Sequence, residues 1–105
     1  MKFTSFLDNG NMTVALTGEI DHHCAKSYIQ AIDAKVEAYT PAVCILDFSE
    51  VTFIDSSGVA VVINAMRAMK RIGGHLLLTG IGRQPMKVFQ AAGIDKLIQI
   101  KEVTI

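Results

Sequence analysis

Tryptophan is absent from this chain, and cysteine and proline occur only twice each in 105 residues. Cys24 and Cys44 lack the spacing of metal ligands, so they read as isolated reduced thiols rather than a zinc site or a disulfide framework. No sign of charge dominates. Ten basic residues balance ten acidic ones, which excludes the basic footprint of a nucleic-acid binder. Long hydrophobic runs are missing as well. None approaches the roughly 20 apolar residues of a membrane span, and the opening Met1-Lys2-Phe3-Thr4-Ser5-Phe6-Leu7-Asp8 has no signal-peptide core. These absences point to a cytoplasmic protein without membrane insertion. What is abundant is apolar side chain, half of all residues, enough for one core and too little for two. The expected organisation is a single domain, 1–105.

Phe3 to Leu7 and Met12 to Leu16 flank Asp8-Asn9-Gly10-Asn11, and Asn-Gly between apolar stretches signals a hairpin. The first run alternates poorly and reads as the edge strand. Thr17-Gly18-Glu19-Ile20-Asp21 is expected to break the second strand, with Asp21 capping a helix whose stripe is Tyr28, Ile29, Ile32, Val36 and Tyr39. Thr40-Pro41 ends that helix. Val43 to Phe48 is a short apolar run of the kind covered on both faces of a sheet.

Val51-Thr52-Phe53-Ile54-Asp55-Ser56-Ser57-Gly58 follows. An apolar approach ends in an acid, two hydroxyls and a glycine, and a second amphipathic run begins. Asp55, Ser56 or Ser57 is the expected cap, and Val59, Val62, Ile63, Met66 and Met69 the inward side of the helix. Gly73-Gly74 ends it, and His75 to Thr79 is a further strand. Gly80-Ile81-Gly82 is a turn, and Pro85 opens a helix with Val88 and Phe89 inward, ended by Gly93. Leu97 to Ile100 adds a last strand, and the tail to Ile105 is too short for a helix of ordinary length. The order β-β-α-β-α-β-α-β implies an α/β fold: a mixed sheet with an opening hairpin, parallel βαβ crossovers and helices packed on the sheet. Gly18 to Asp21, Asp55 to Gly58 and Gly80 to Arg83 then gather at one sheet edge.

On local chemistry alone, Asp55-Ser56-Ser57 reads first as ordinary helix capping, and Glu19, Asp21, His22 and His23 as a solvated loop that starts a helix. A capping hydroxyl can also be exposed, so capping does not exclude phosphate acceptance. The first turn of a helix also favours an anion. His22-His23-Cys24 lacks zinc spacing, and adjacent histidines on a helix point apart. A serine hydrolase is the rival from another class. Ile54 stands where the Gly-x-Ser-x-Gly elbow needs its first glycine, and His75 is the only later histidine. Gly80-Ile81-Gly82 lacks the third glycine of a dinucleotide fingerprint, so no cofactor is expected.

Three segments resemble the STAS domain: Leu16-Thr17-Gly18-Glu19-Ile20-Asp21-His22-His23, Leu46 to Gly58, and Ile72-Gly73-Gly74. The likeness runs in register from about Leu16 to Ile100 and is nearest to the stand-alone anti-sigma factor antagonists of the sporulation and stress type. That resemblance implies a regulatory phosphoprotein without catalysis of its own, acting in partner switching. It makes Ser56 the serine phosphorylated by an anti-sigma factor that is itself a serine kinase, with Ser57 the lesser candidate. The unphosphorylated form would bind that kinase and free the sigma factor, and a serine phosphatase would reset it. Glu19, Asp21, His22, His23, Asp55, Ser56, Ser57 and Gly58 are the implied partner-binding residues. Members often continue into a terminal helix beyond the point matching Ile105. The alternative within the fold is a STAS module of another assembly, such as a lipid-transport or signalling complex.

Overall fold

The computed structural model describes residues 3–101. β1 (Phe3–Asp8) and β2 (Asn11–Ile20) form the antiparallel hairpin, closed by Asn9 and Gly10 in left-handed geometry. There follow α1 (Ala25–Tyr39), β3 (Val43–Ile54), α2 (Ser56–Arg71), β4 (His75–Thr79), α3 (Arg83–Ala91), a one-turn α4 (Ile94–Leu97) and β5 (Gln99–Lys101). The sheet order is β1-β2-β3-β4-β5, parallel from β2 onward, with β1 at an edge as its sequence implies. The expectation for the tail lies outside the described residues.

Each parallel crossover steps to the adjacent strand in the same direction, so right-handed connections set the helices on one face. The register lines up the side chains beneath them. Met12, Cys44 and Leu76 form one row and Val14, Leu46 and Leu78 the next, all buried. Onto these rows pack Tyr28, Ile32 and Val36 of α1 and Val61, Val62, Ala65, Ala68 and Met69 of α2. Phe89 of α3 is fully buried and meets Phe48 edge to face, ring centroids 5.4 Å apart. Val43 and Ile45 point to the opposite face and are only half-buried, so β3 alternates instead of being covered on both sides.

Three further local readings are corrected. Gly18 does not end β2. With φ +77° it sits beside register shifts flanking Thr17 and Glu19, a bulged stretch after which the strand resumes and buries Ile20. β3 likewise runs on to Ile54, because the resumed end of β2 gives it a partner. Along α2 the buried line passes through Val61, Val62, Ala65, Ala68 and Met69, while Val59, Ile63 and Met66 pack half-exposed at its margin.

The core also decides thiol chemistry. Burial alone pushes the Cys44 thiol up to about 12, so it stays protonated and inert at neutral pH. Cys24 is half-buried, and both cysteines are free. A thiol-disulfide colorimetric titration at pH 8 should therefore find one reactive thiol, Cys24, in the native chain and both in denaturant. Rapid native labelling of Cys44 would contradict the packing described.

Candidate functional site

β2 and β3 end together. Glu19 pairs with Phe53 and Ile20 with Ile54, and the Asp55 N–H donates to the Ile20 carbonyl at 3.3 Å. The two segments singled out from the sequence thus form one rim, at the carboxyl ends of parallel strands where folds of this class place their sites.

Within the turn, Asp55 is the helix cap. Its backbone is extended, its Oδ1 accepts the Ser57 N–H at 2.7 Å, and its carbonyl accepts the Gly58 N–H at 3.0 Å. The acid thereby does the work that the sequence left open among three residues. Ser56, the first helical residue, is exposed, and its hydroxyl makes no hydrogen bond within the described residues. Ser57 is half-buried. Gly58 is buried, and a Cβ there would lie 2.7 Å from Ile54 Cβ. Its part is to let the turn close on β3.

The β2 end of the rim behaves differently from its expected capping role. The helix cap of α1 is Cys24, which makes no side-chain capping bond. Asp21 acts one turn earlier: its carboxylate accepts the His23 N–H at 2.9 Å and its carbonyl accepts the Cys24 and Ala25 N–H groups. The Cys24 thiol closes the loop with weak donations to the Glu19 and Asp21 carbonyls. Glu19, His22 and His23 are exposed, the two imidazoles lying close together rather than apart, ring centroids 3.9 Å and planes tilted by 38°. Desolvation works to raise the Asp21 carboxyl, but the His23 N–H, the charge of the His23 ring and the donors of Cys24 outweigh it, leaving the carboxyl below its ordinary value.

Two features escaped the sequence. Phe53, beside Glu19, is a large apolar side chain 43% exposed on the same rim. Gln84, from the first turn of α3, binds the last residue of β3: it accepts the Ile54 N–H and donates to the Ile54 carbonyl, both at 2.9 Å. No local pattern marks Gln84, because its partner stands thirty positions away. Next to Ser56, the side chains of Val59, Lys87, Val88, Ala91 and Ala92 line a mainly apolar furrow of about 500 Å³ between α2 and α3. The Gly80-Ile81-Gly82 turn lines a separate hollow with Ser49 and Arg83. Among the described residues no three His, Cys, Asp or Glu side chains gather to hold a metal, and no helix is long and apolar enough to cross a membrane.

Comparison with known proteins gives a consistent result. Residues 7–104 match the model of the STAS domain. The chain is 31% identical over 83 residues to the anti-sigma F factor antagonist of Lysinibacillus sphaericus, spanning 79% of this chain and 71% of that protein. Its fold is similar to the unphosphorylated form of the anti-sigma factor antagonist SpoIIAA, with TM-score 0.85 and 26% identity over 98% of this chain and 89% of the other. The phosphorylated form of SpoIIAA, the Bacillus cell fate determinant, gives TM-score 0.76 at 26% identity, covering 98% and 92%.

Two measurements test the site. Gly58→Ala gains about 1 kcal/mol of helix propensity but drives a methyl into Ile54, and such overpacking costs about 1–3 kcal/mol. A net loss is expected, seen as a Tm lower by several degrees; a rise in Tm would refute the tight closure. For Asp21, an NMR titration should give a midpoint below 3.8, moving back towards it in His23→Ala. The carboxylate's contribution to stability is complete above about 3.8 and is lost as the pH falls through the lower native value.

Proposed function

The chain belongs to the STAS domain family, and from that membership we propose that it is an anti-sigma factor antagonist controlled by phosphorylation at Ser56. Anti-sigma factor antagonists of this family are regulatory binding proteins, not enzymes, and this chain is read as one of them, acting in the cytoplasm. Its partner is an anti-sigma factor with serine kinase activity, met through the rim of Glu19, Asp21, His22, His23, Asp55, Ser56 and Ser57. Binding of the unphosphorylated chain releases the sigma factor. The observation that carries the reading is the division of labour at the start of α2: Asp55 holds the backbone, which leaves the Ser56 hydroxyl exposed and unbonded. The furrow beside it offers apolar area that a partner can bury.

In the modification step the Ser56 Oγ attacks the γ-phosphorus of ATP. The new O–P bond forms as the bond to the bridging oxygen breaks, the hydroxyl proton passes to a base of the kinase, and ADP leaves. A serine phosphatase reverses it by hydrolysis, returning the hydroxyl and releasing phosphate. The phosphate adds about −1.5 to −2 charges and three acceptor oxygens. At the first turn of α2 that anion suits the helix dipole, so the fold is expected to change little. The cost falls on the complex, where a bulky dianion meets a kinase's nucleotide and acidic groups. Like-charge juxtaposition costs several kcal/mol, and about 3 kcal/mol already weakens binding on the order of a hundredfold.

Incubation with a candidate kinase and ATP, followed by mass mapping, should place one phosphate on Ser56. Ser56→Ala should keep its affinity for the kinase, resist phosphorylation and unfold at the wild-type temperature, whereas Ser56→Asp should bind at least about tenfold more weakly. Normal phosphorylation of Ser56→Ala would refute the assignment.

A further inference from the structure

β3 outruns its neighbour. β4 ends at Thr79 opposite Asp47, so from Phe48 onward the β4 side of β3 has no strand beside it. In an extended strand, the N–H and carbonyl of one residue point to one side and those of the next residue to the other. The Asp55 N–H turns to Ile20 on β2, so the Ile54 N–H and carbonyl turn to the side that β4 has vacated. Left alone at a half-buried strand end, both groups would want partners.

Gln84 supplies both. Its primary amide lies against Ile54 as the N–H and carbonyl of one residue in an adjacent antiparallel strand would, one bond in each direction at 2.9 Å. The orientation is fixed by the pair itself, since a flipped amide would set donor against donor and acceptor against acceptor. The residue that holds Ile54 is itself held. α3 is anchored by buried Pro85 in its first turn and by Phe89 against Phe48. Ile54 is bonded to Asp55, and Asp55 caps the turn that presents Ser56.

We propose that Gln84 is a positioning residue for the Ser56 turn, its side-chain amide standing in for the missing strand and fixing the end of β3 from which the Asp55 cap springs. The inference rests on the reading of Ser56 as phosphoacceptor for its functional half only. Phosphoryl transfer is governed by placement of the attacking oxygen, and a shift of about 1 Å can cost on the order of a hundredfold in rate. Loss of the clamp should therefore lower turnover at Ser56 more than it weakens kinase binding.

The test uses the full chain with Gln84→Met, which keeps length and helix propensity but has neither donor nor acceptor for the clamp, and Gln84→Glu, which keeps an acceptor for the Ile54 N–H and loses the donor. Backbone amide exchange followed by NMR should quicken about tenfold or more at Ile54 and at Ser57 in Gln84→Met, with Ala65 in the middle of α2 unchanged. Gln84→Glu should fall between. With a kinase that modifies the wild-type chain on Ser56, kcat should drop about tenfold or more while KM moves less than threefold. Equal acceleration at Ala65 would mean a general loss of stability, and unchanged exchange at Ser57 would mean a bond without influence on the turn; either overturns the proposal, as does unchanged kcat. Should the wild-type chain take its phosphate elsewhere than Ser56, the functional reading fails, while the exchange data still decide whether Gln84 holds the turn.

Discussion

β3 continues to Ile54 although β4 accompanies it only as far as Asp47, and the candidate site is built on that overhang. A strand with one edge open is costly unless its peptide groups find partners. On one side the resumed end of β2 supplies them, and on the other Gln84 does so for Ile54. The end of the overhang is therefore hydrogen-bonded on both sides. It delivers the chain to Asp55 in extended geometry, which a capping residue requires.

At that point fold and chemistry are separated by one residue. Asp55 spends its carboxylate on the Ser57 N–H, and Gly58 lets the first turn close on Ile54. Ser56 between them is asked for nothing structural. A side chain so placed can gain and lose a dianion while the cap, the glycine and the core remain as they were. The positive end of a sixteen-residue helix lies beneath the turn, an electrostatic setting that favours an anion there.

Much of this was legible in the sequence wherever a single side-chain period governed burial. The hairpin at Asn9-Gly10, the parallel crossovers and the meeting of Asp21 with Asp55 at one rim all follow from pattern and turn chemistry. Gly18 misled because a glycine at positive φ serves equally to end a strand or to bulge it, and only the burial of Ile20 decides between them. α2 misled because it is apolar on more than one side. Ala65 and Ala68 line its buried face, while the bulkier Val59, Ile63 and Met66 lie at its margin, the reverse of what residue size suggests. Gln84 was invisible because its role depends on where another strand stops. The cap could not be assigned among Asp55, Ser56 and Ser57 without seeing which side chain reaches back to the backbone.

The strand order has a bearing on how the molecule assembles. Each strand lies beside the one made just before it, so none must wait for a later segment to be inserted at its flank. A chain leaving the ribosome can add hairpin, helix and strand in succession, and loop closures stay short. Ile20 and Ile54 are registered in the first parallel pairing, well before Gln84 is synthesised. The rim would thus take shape early and be locked last, when α3 docks.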